Sequence, residues 1–394
     1  MDFDVIIVGA GVAGSSLAGL LGQAGARALL LDKAAFPRPK PCGQGILPHG
    51  VKALEKMGAL SAVMPLGNKL LGLTYHAQQN SSHICFGADI GFGLGVERAK
   101  LDFALIQWAL TNPSISFEEK TTFEAPLMEG ARVAGVVVRS SKGNKATWRA
   151  PVIVFADGLH SIARRSLGIG VHWPPLNRFG TVAYLDRLEQ VENSVEVFLA
   201  EKFEVYITPL PDKVCVAILH GKELLNSLES SNREKTFFNF LGRVNALGPR
   251  LSRSACVGPV LQWGPLAPKV NPIYGDGFVL TGDAGGAADP ITGEGMALAF
   301  RVALQICPVI LQAIARGGQA ASLAACQNIY AKETRNAVKL AGLVRRLSRH
   351  GWLAQRVVRN LGRHPGLFEE LLRVATGQIQ YESIGWLTKI KLVC

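Results

Sequence analysis

Asp4-Val5-Ile6-Ile7-Val8 runs directly into Gly9-Ala10-Gly11-Val12-Ala13-Gly14, and an Ala/Leu-rich segment then continues to about Gln23. A short β-branched apolar run is the pattern of a parallel strand buried on both faces. The spacing therefore predicts strand, glycine turn and helix in that order. Gly9 permits the tight turn, Gly11 lets backbone approach a pyrophosphate, and Gly14 lets helix and strand pack closely. Free N–H groups and the helix dipole then point at phosphate oxygens, with Ala13 in the first turn beside them. A second strand, residues 27–31, ends in Asp32-Lys33, and Asp32 stands 18 residues after Gly14. That is near the spacing of a carboxylate that bonds an adenosine ribose hydroxyl. The stretch predicts a dinucleotide-binding unit at the start of an α/β fold.

Two further glycine-acid elements occur where a simple nicotinamide dehydrogenase needs neither. Val152-Ile153-Val154-Phe155 leads into Ala156-Asp157-Gly158, followed by Ser161 and Arg164. Gly277-Phe278-Val279-Leu280-Thr281 leads into Gly282-Asp283, and then Pro290-Ile291-Thr292-Gly293-Glu294-Gly295-Met296 opens a long Ala/Leu helix. Both put a carboxylate at the carboxyl end of an apolar strand, where open α/β sheets bind ligands. Asp283 is positioned to bond hydroxyls of a sugar chain. The helix beginning near Gly293 offers N–H groups to a negative charge, an effect of about 1 kcal/mol.

In this order the three elements resemble the FAD-dependent superfamily of class A flavin monooxygenases (p-hydroxybenzoate hydroxylase-like) and geranylgeranyl reductases, over residues 3 to about 340. The resemblance implies a Rossmann-like FAD-binding domain, with the first glycine motif and Asp32 on the ADP half. It implies that Asp157 and Gly158 lie near FAD and its nicotinamide donor, and that Gly282, Asp283, Pro290, Gly293, Gly295 and Met296 hold ribityl and flavin. Gly95-Val96-Glu97-Arg98-Ala99-Lys100-Leu101-Asp102 is similar to the family's VxRxxLD segment. Arg98 is thereby a candidate for the flavin side, against a helix-start arginine in a surface pair. Thr292-Gly293-Glu294-Gly295 and Pro39-Lys40-Pro41-Cys42-Gly43 are closer to the reductase branch, which implies that Cys42 and Gly43 face flavin or substrate. Cys42 is a candidate for assisting double-bond chemistry, against a packed thiol beside a loop. The halogenase branch is disfavoured, since Trp173-Pro174-Pro175 is only a superficial echo of its tryptophan segment.

Between the second and third elements the pattern changes to period two, in runs 179–185, 194–200, 203–209 and 213–219. These predict an inserted antiparallel sheet that roofs the flavin as a substrate domain. In the third run Glu204, Tyr206 and Thr208 share one face and Val205 and Ile207 the other. The polar face either lines a pocket or meets solvent, and Tyr206 is a candidate to orient substrate or donate a proton. The expected domains are 1–72, 96–175 and 268–340 for FAD binding, 73–95 and 176–267 for substrate, and a helical region at 341–394.

Composition narrows the remaining choices. The 394 residues are 48% hydrophobic and 18% charged, which describes a well-cored globular chain. No apolar run reaches the roughly 18 residues of a spanning helix, and no leader precedes the first strand. The expected location is the cytoplasm. Seven scattered cysteines without a CxxC pair suggest neither a disulfide framework nor a metal site. The net charge of +12 concentrates at the end, where residues 339–368 hold six arginines, one lysine and no acid among regularly spaced leucines. This reads as basic amphipathic helix, either a cap with a solvated basic face or a peripheral membrane contact. No nucleic-acid motif accompanies it.

No carboxylate pair or Ser-His-Asp set stands out, as expected where a flavin carries the redox chemistry. Three functions follow. The first is an NAD(P)H-dependent monooxygenase that acts through a flavin C4a-hydroperoxide on an apolar aromatic or polyketide-like molecule. The second is a reductase of isoprenoid double bonds. The third is a non-catalytic prenyl or lipid carrier on the same fold.

Overall fold

The computed structural model describes residues 1–174, 177–222, 232–348 and 350–385, with the side chains of 347 and 348 excepted. Pro175 and the end of the C-terminal region, 386–394, thus lie outside the described residues. Val5–Val8 is buried along its whole length and pairs in parallel register with Ala28–Leu31 on one side and Val152–Phe155 on the other. Ile115–Glu118 extends the sheet beyond Ala28–Leu31, and Phe278–Leu280 extends it beyond Val152–Phe155. Tyr274–Gly275 closes that edge as an antiparallel strand. The continuous apolar runs follow from this, because neither face of the central strands meets water.

The helices Val12–Gln23, Arg98–Leu110 and Gly295–Ala315 pack together on this sheet. Gly295–Ala315 has 21 residues and a mean hydropathy of 1.8 over its best window, long and apolar enough by composition to cross a membrane. The sequence expectation of no such run is corrected here, since Gln305, Pro308 and Gln312 interrupt the apolar stretch without ending the helix. Phe300, Val302, Ile306 and Ile310 are buried in the core that it shares with the sheet.

The period-two runs form the centre of a seven-stranded sheet. Its order is Leu261–Trp263, Arg178–Leu185, Val214–Gly221, Phe203–Pro209, Ser194–Ala200, Gly72–Ala77 and Asn80–Cys85. Both faces are covered. Val205, Ile207, Val216 and Ile218 pack on Phe237, Phe240 and Leu241 of the helix Arg233–Gly242. On the opposite face Val197, Tyr206 and Leu219 meet Val357, Leu361, Phe368 and Leu372. Those belong to the helices Gly351–Arg363 and Pro365–Ala375, which with Ala325–Ser348 form the C-terminal region. Solvent exposure of the polar face of Phe203–Pro209 is therefore excluded: Glu204, Tyr206 and Thr208 are all buried.

Candidate active site

Three neighbouring parallel strands, Val5–Val8, Val152–Phe155 and Phe278–Leu280, deliver the three glycine-acid elements to one end of the sheet. Gly9 has φ +106°, and a Cβ there would sit 2.4 Å from the Ala156 carbonyl oxygen. A Cβ on Gly14 would come within 1.9 Å of the Gly9 oxygen, which makes Gly14 a packing glycine. Gly11 differs: the nearest atoms to its added Cβ are the guanidinium nitrogens of Arg38 at 3.7 Å and Arg98 at 3.9 Å. The turn is thus open toward two cations. Asp32 accepts hydrogen bonds from the N–H groups of Ala10 and Ala34, each at 2.9 Å. It fixes the turn while its remaining lone pairs face the cavity.

The third element is held from behind. The Tyr330 hydroxyl, on the helix Ala325–Ser348, lies against the carbonyls of Gly282 and Gly286, the first at 2.8 Å. Asp283 is exposed to the cavity, and among the described residues its carboxylate accepts no hydrogen bond. Asp289 accepts from the Ile291 N–H at 3.1 Å, and Gly293 turns left-handed at φ +70° immediately before the helix Gly295–Ala315. The first N–H groups of that helix have no intrahelical partner and open on the cavity at Gly295 and Met296. Glu294, between Gly293 and Gly295, is buried, and burial, outweighing the nearby Arg301 charge, pushes its carboxyl up to about 8.

In the second element Asp157 accepts from the N–H groups of Ile162 at 2.8 Å and Ala163 at 3.2 Å, while among the described residues its Oδ1 has no hydrogen-bond partner. Ser161 caps the following short helix by accepting from the Arg164 N–H. Arg164 donates to the carbonyls of Leu159 and Ala284 and so ties the second element to the third. These two residues brace the loop, and Asp157 and Gly158 face the cavity.

Arg98 opens its helix but is not a surface residue. It is buried and donates twice to Asp102, at 2.7 and 3.0 Å, an internal pair rather than the surface one. The Cys42 sulfur also faces its guanidinium. Gln44, at φ +63°, accepts from the Arg98 N–H at 2.6 Å and donates to the Cys42 carbonyl and the Tyr184 hydroxyl. A backbone segment rich in glycine and proline is thereby locked without regular secondary structure.

The antiparallel sheet holds the cofactor-side loops through the polar face of one strand. Tyr206 donates its hydroxyl hydrogen to the Ile291 carbonyl at 2.8 Å, and Thr208 donates to the Gly43 carbonyl at 2.7 Å. Glu204 binds Arg178, which reaches on to Asp289 at 3.4 Å. Burial raises Tyr206 well above the usual phenol range. Its hydroxyl hydrogen directed at Ile291, Tyr206 ties the sheet to the loop Pro290–Thr292.

These residues surround one cavity of about 630 Å³. Every glycine and acid assigned above to cofactor binding lines it except Gly14, as do Ala13, Lys33, Cys42, Gly43, Arg98, Pro290 and Met296. The cavity continues without a break past Tyr206 into an aliphatic tunnel between the sheet and the C-terminal helices. Val195, Val197 and Leu219 form one wall and Leu343, Val357 and Leu361 the other. Sequence reading had not placed Arg38, Tyr330 or the helical wall there; a lone tyrosine on a polar helix carries no spacing signal. Among the described residues no cluster of metal-ligating side chains occurs. An open phosphate turn flanked by two arginines, an uncommitted Asp283, an orphaned Asp157 oxygen and a helix N-terminus fit the pyrophosphate, ribityl and isoalloxazine parts of FAD.

Comparison with known proteins agrees. Residues 2–220 match the FAD binding domain family. Conditioned medium factor receptor 1 of Dictyostelium discoideum is 27% identical over 76% of this chain and 61% of its own length. Digeranylgeranylglycerophospholipid reductase 2 of Methanopyrus kandleri is 27% identical over 75% and 74%. Squalene epoxidases and a chlorinase are similarly distant. The chain spans about half to three quarters of the curated relatives that it matches. The flavin-dependent brominase Bmp2 superposes with a TM-score of 0.83 at 20% identity, over 99% of this chain and 97% of that one. That likeness is one of fold. With its match covering more than half of the sequence, the chain belongs to the FAD binding domain family, and FAD is the cofactor that this cavity holds.

Proposed function

We propose that the protein is an NAD(P)H-dependent FAD monooxygenase that inserts one oxygen atom into an apolar substrate lodged in the aliphatic tunnel. The observation that carries this reading is the continuity of the cavity from the loops at Gly282–Gly285 and Pro290–Thr292 to the wall formed by Val357 and Leu361. Bound FAD supplies the redox chemistry, taking reducing equivalents from NAD(P)H and activating dioxygen. Substrate, O2, NAD(P)H and a proton become oxygenated product, water and NAD(P)+. The chain's own work is binding, orientation and exclusion of water. The Gly9–Gly11 turn and Arg38 receive the charged end, Tyr206 and Thr208 fix the loops against the sheet, and the leucine and valine walls keep the reacting end dry. A wall of valines and leucines without aromatic or polar partners among Val195, Val197, Leu219, Leu343, Val357 and Leu361 favours an aliphatic hydrocarbon over an aromatic or polyketide-like ring. A cytoplasmic location goes with the reading, since NAD(P)H must reach the flavin.

One observation favours a second reading, reduction of an isoprenoid double bond: the Cys42 sulfur beside Arg98 lines the cavity at its cofactor end. The two are separated by supplying NADPH with polyprenyl compounds and apolar phenols, under 18O2 and under strict anaerobiosis. The expected result is labelled product in air and none without oxygen. Saturated product formed anaerobically overturns the monooxygenase in favour of the reductase. An FAD-loaded protein that binds a polyprenyl compound and turns over nothing under either atmosphere supports the carrier.

A further inference from the structure

The helix Gly351–Arg363 has two unlike faces. Ala354, Val357, Val358 and Leu361 are buried, and three of the four line the tunnel. At 100° per residue, positions 352, 359 and 363 fall on the opposite side within an arc of about 40°. They are Trp352, which is 64% exposed, with Arg359 and Arg363, both exposed. Among the described residues neither arginine pairs with a carboxylate. Arg346, near the end of the preceding helix, is exposed as well. No acid occurs between Lys339 and Phe368. An exposed indole among unpaired guanidinium groups is costly to leave in water and matches the headgroup layer of a bilayer, where tryptophan and arginine both concentrate.

We propose that this face docks the protein on an anionic membrane surface, with Trp352 entering the interface and Arg359 and Arg363 on lipid phosphates. Charge complementarity selects the partner: the face carries cations and no acid, so it favours an anionic bilayer over a neutral one. The geometry adds a direction. The tunnel wall and the docking face are two sides of the same helix, so an apolar molecule leaving the bilayer has the tunnel about one helix diameter away. That second step rests on the function proposed above, whereas docking does not.

Flotation of the FAD-loaded full chain with vesicles tests the docking without requiring turnover. Protein is expected to float with phosphatidylcholine vesicles containing phosphatidylglycerol and to remain in the dense fraction with phosphatidylcholine alone. Binding is expected to weaken with rising salt. Arg359→Glu with Arg363→Glu is expected to lower affinity for the anionic vesicles by at least about tenfold, and Trp352→Ala to lower it while preserving the salt dependence. Flavin absorbance and the unfolding temperature of each variant establish that the fold is intact. Equal flotation with both vesicle types, flotation with neither, or unchanged binding by folded variants overturns the proposal. Retention on duplex DNA in preference to anionic vesicles at the same ionic strength also overturns it, in favour of a nucleic-acid surface.

Discussion

Gly11 and Gly14, three residues apart in the same motif, make opposite predictions. Gly14→Ala forces a methyl within 1.9 Å of the Gly9 oxygen, so the variant is expected to lose stability even without cofactor. Gly11→Ala meets nothing closer than 3.7 Å, so the apoprotein is expected to unfold at the temperature of the parent while FAD retention falls about tenfold or more. Thermal unfolding of the apoprotein together with the ratio of flavin to protein absorbance separates the two. Equal loss of both quantities in both variants would sink the distinction. Glu294 makes a pH prediction. Its folded-state value of about 8 lies above the ordinary carboxyl value, so the stability it confers is complete below about pH 4.5 and is lost as pH rises toward 8. Denaturant titrations at pH 5 and pH 9 are expected to show Glu294→Gln gaining on the parent at the higher pH. The sequence displayed these glycines because backbone approach leaves a spacing rule. It did not display that Tyr206 would direct its hydroxyl hydrogen at Ile291, because hydrogen-bond partners depend on which loop the fold brings opposite.

At the scale of elements, the polar stripe of Phe203–Pro209 was legible from alternation alone, whereas its use as a brace was not. The strands Gly72–Ala77 and Asn80–Cys85 join the sheet as a pair from far away in sequence, and the parallel pairing of Gly72–Ala77 with Ser194–Ala200 has no local signature. Two interior strands of that sheet, Gly72–Ala77 and Ser194–Ala200, are fastened to a neighbouring turn by charge. Arg250, in the turn Gly248–Leu251, donates to Glu196 at 2.7 and 2.8 Å, and His76 contacts the same carboxylate at 3.0 Å. Burial works to raise Glu196, but the bonds from Arg250 and His76 outweigh it and leave the carboxyl lowered. The associated stability is present above the ordinary carboxyl range and is lost as pH falls through the lowered value. Arg250→Ala is therefore expected to cost about 3 kcal/mol in urea unfolding at pH 7, with the gap from the parent shrinking in acid. A gap independent of pH would assign the loss to packing. The helical wall of the tunnel supplies a different test: Leu361→Trp should fill the apolar end and reduce turnover of long substrates more than short ones, with FAD content unchanged.

Across the whole molecule, the parallel sheet was readable because three separate strands each end in glycine and acid. The tunnel was not, because its walls come from strands near residues 195 and 217 and helices near 343 and 360, each of which looks like ordinary core alone. The helix Ala325–Ser348 joins these scales. Near its start Tyr330 grips the Gly282–Gly286 loop, and near its end Leu340 and Leu343 stand in the tunnel. Bound FAD is thereby expected to report what occupies the distant apolar end. A series of unreactive alkyl chains is expected to shift its visible band progressively with each added carbon, until the chain reaches the end wall and further lengthening leaves the colour where it was.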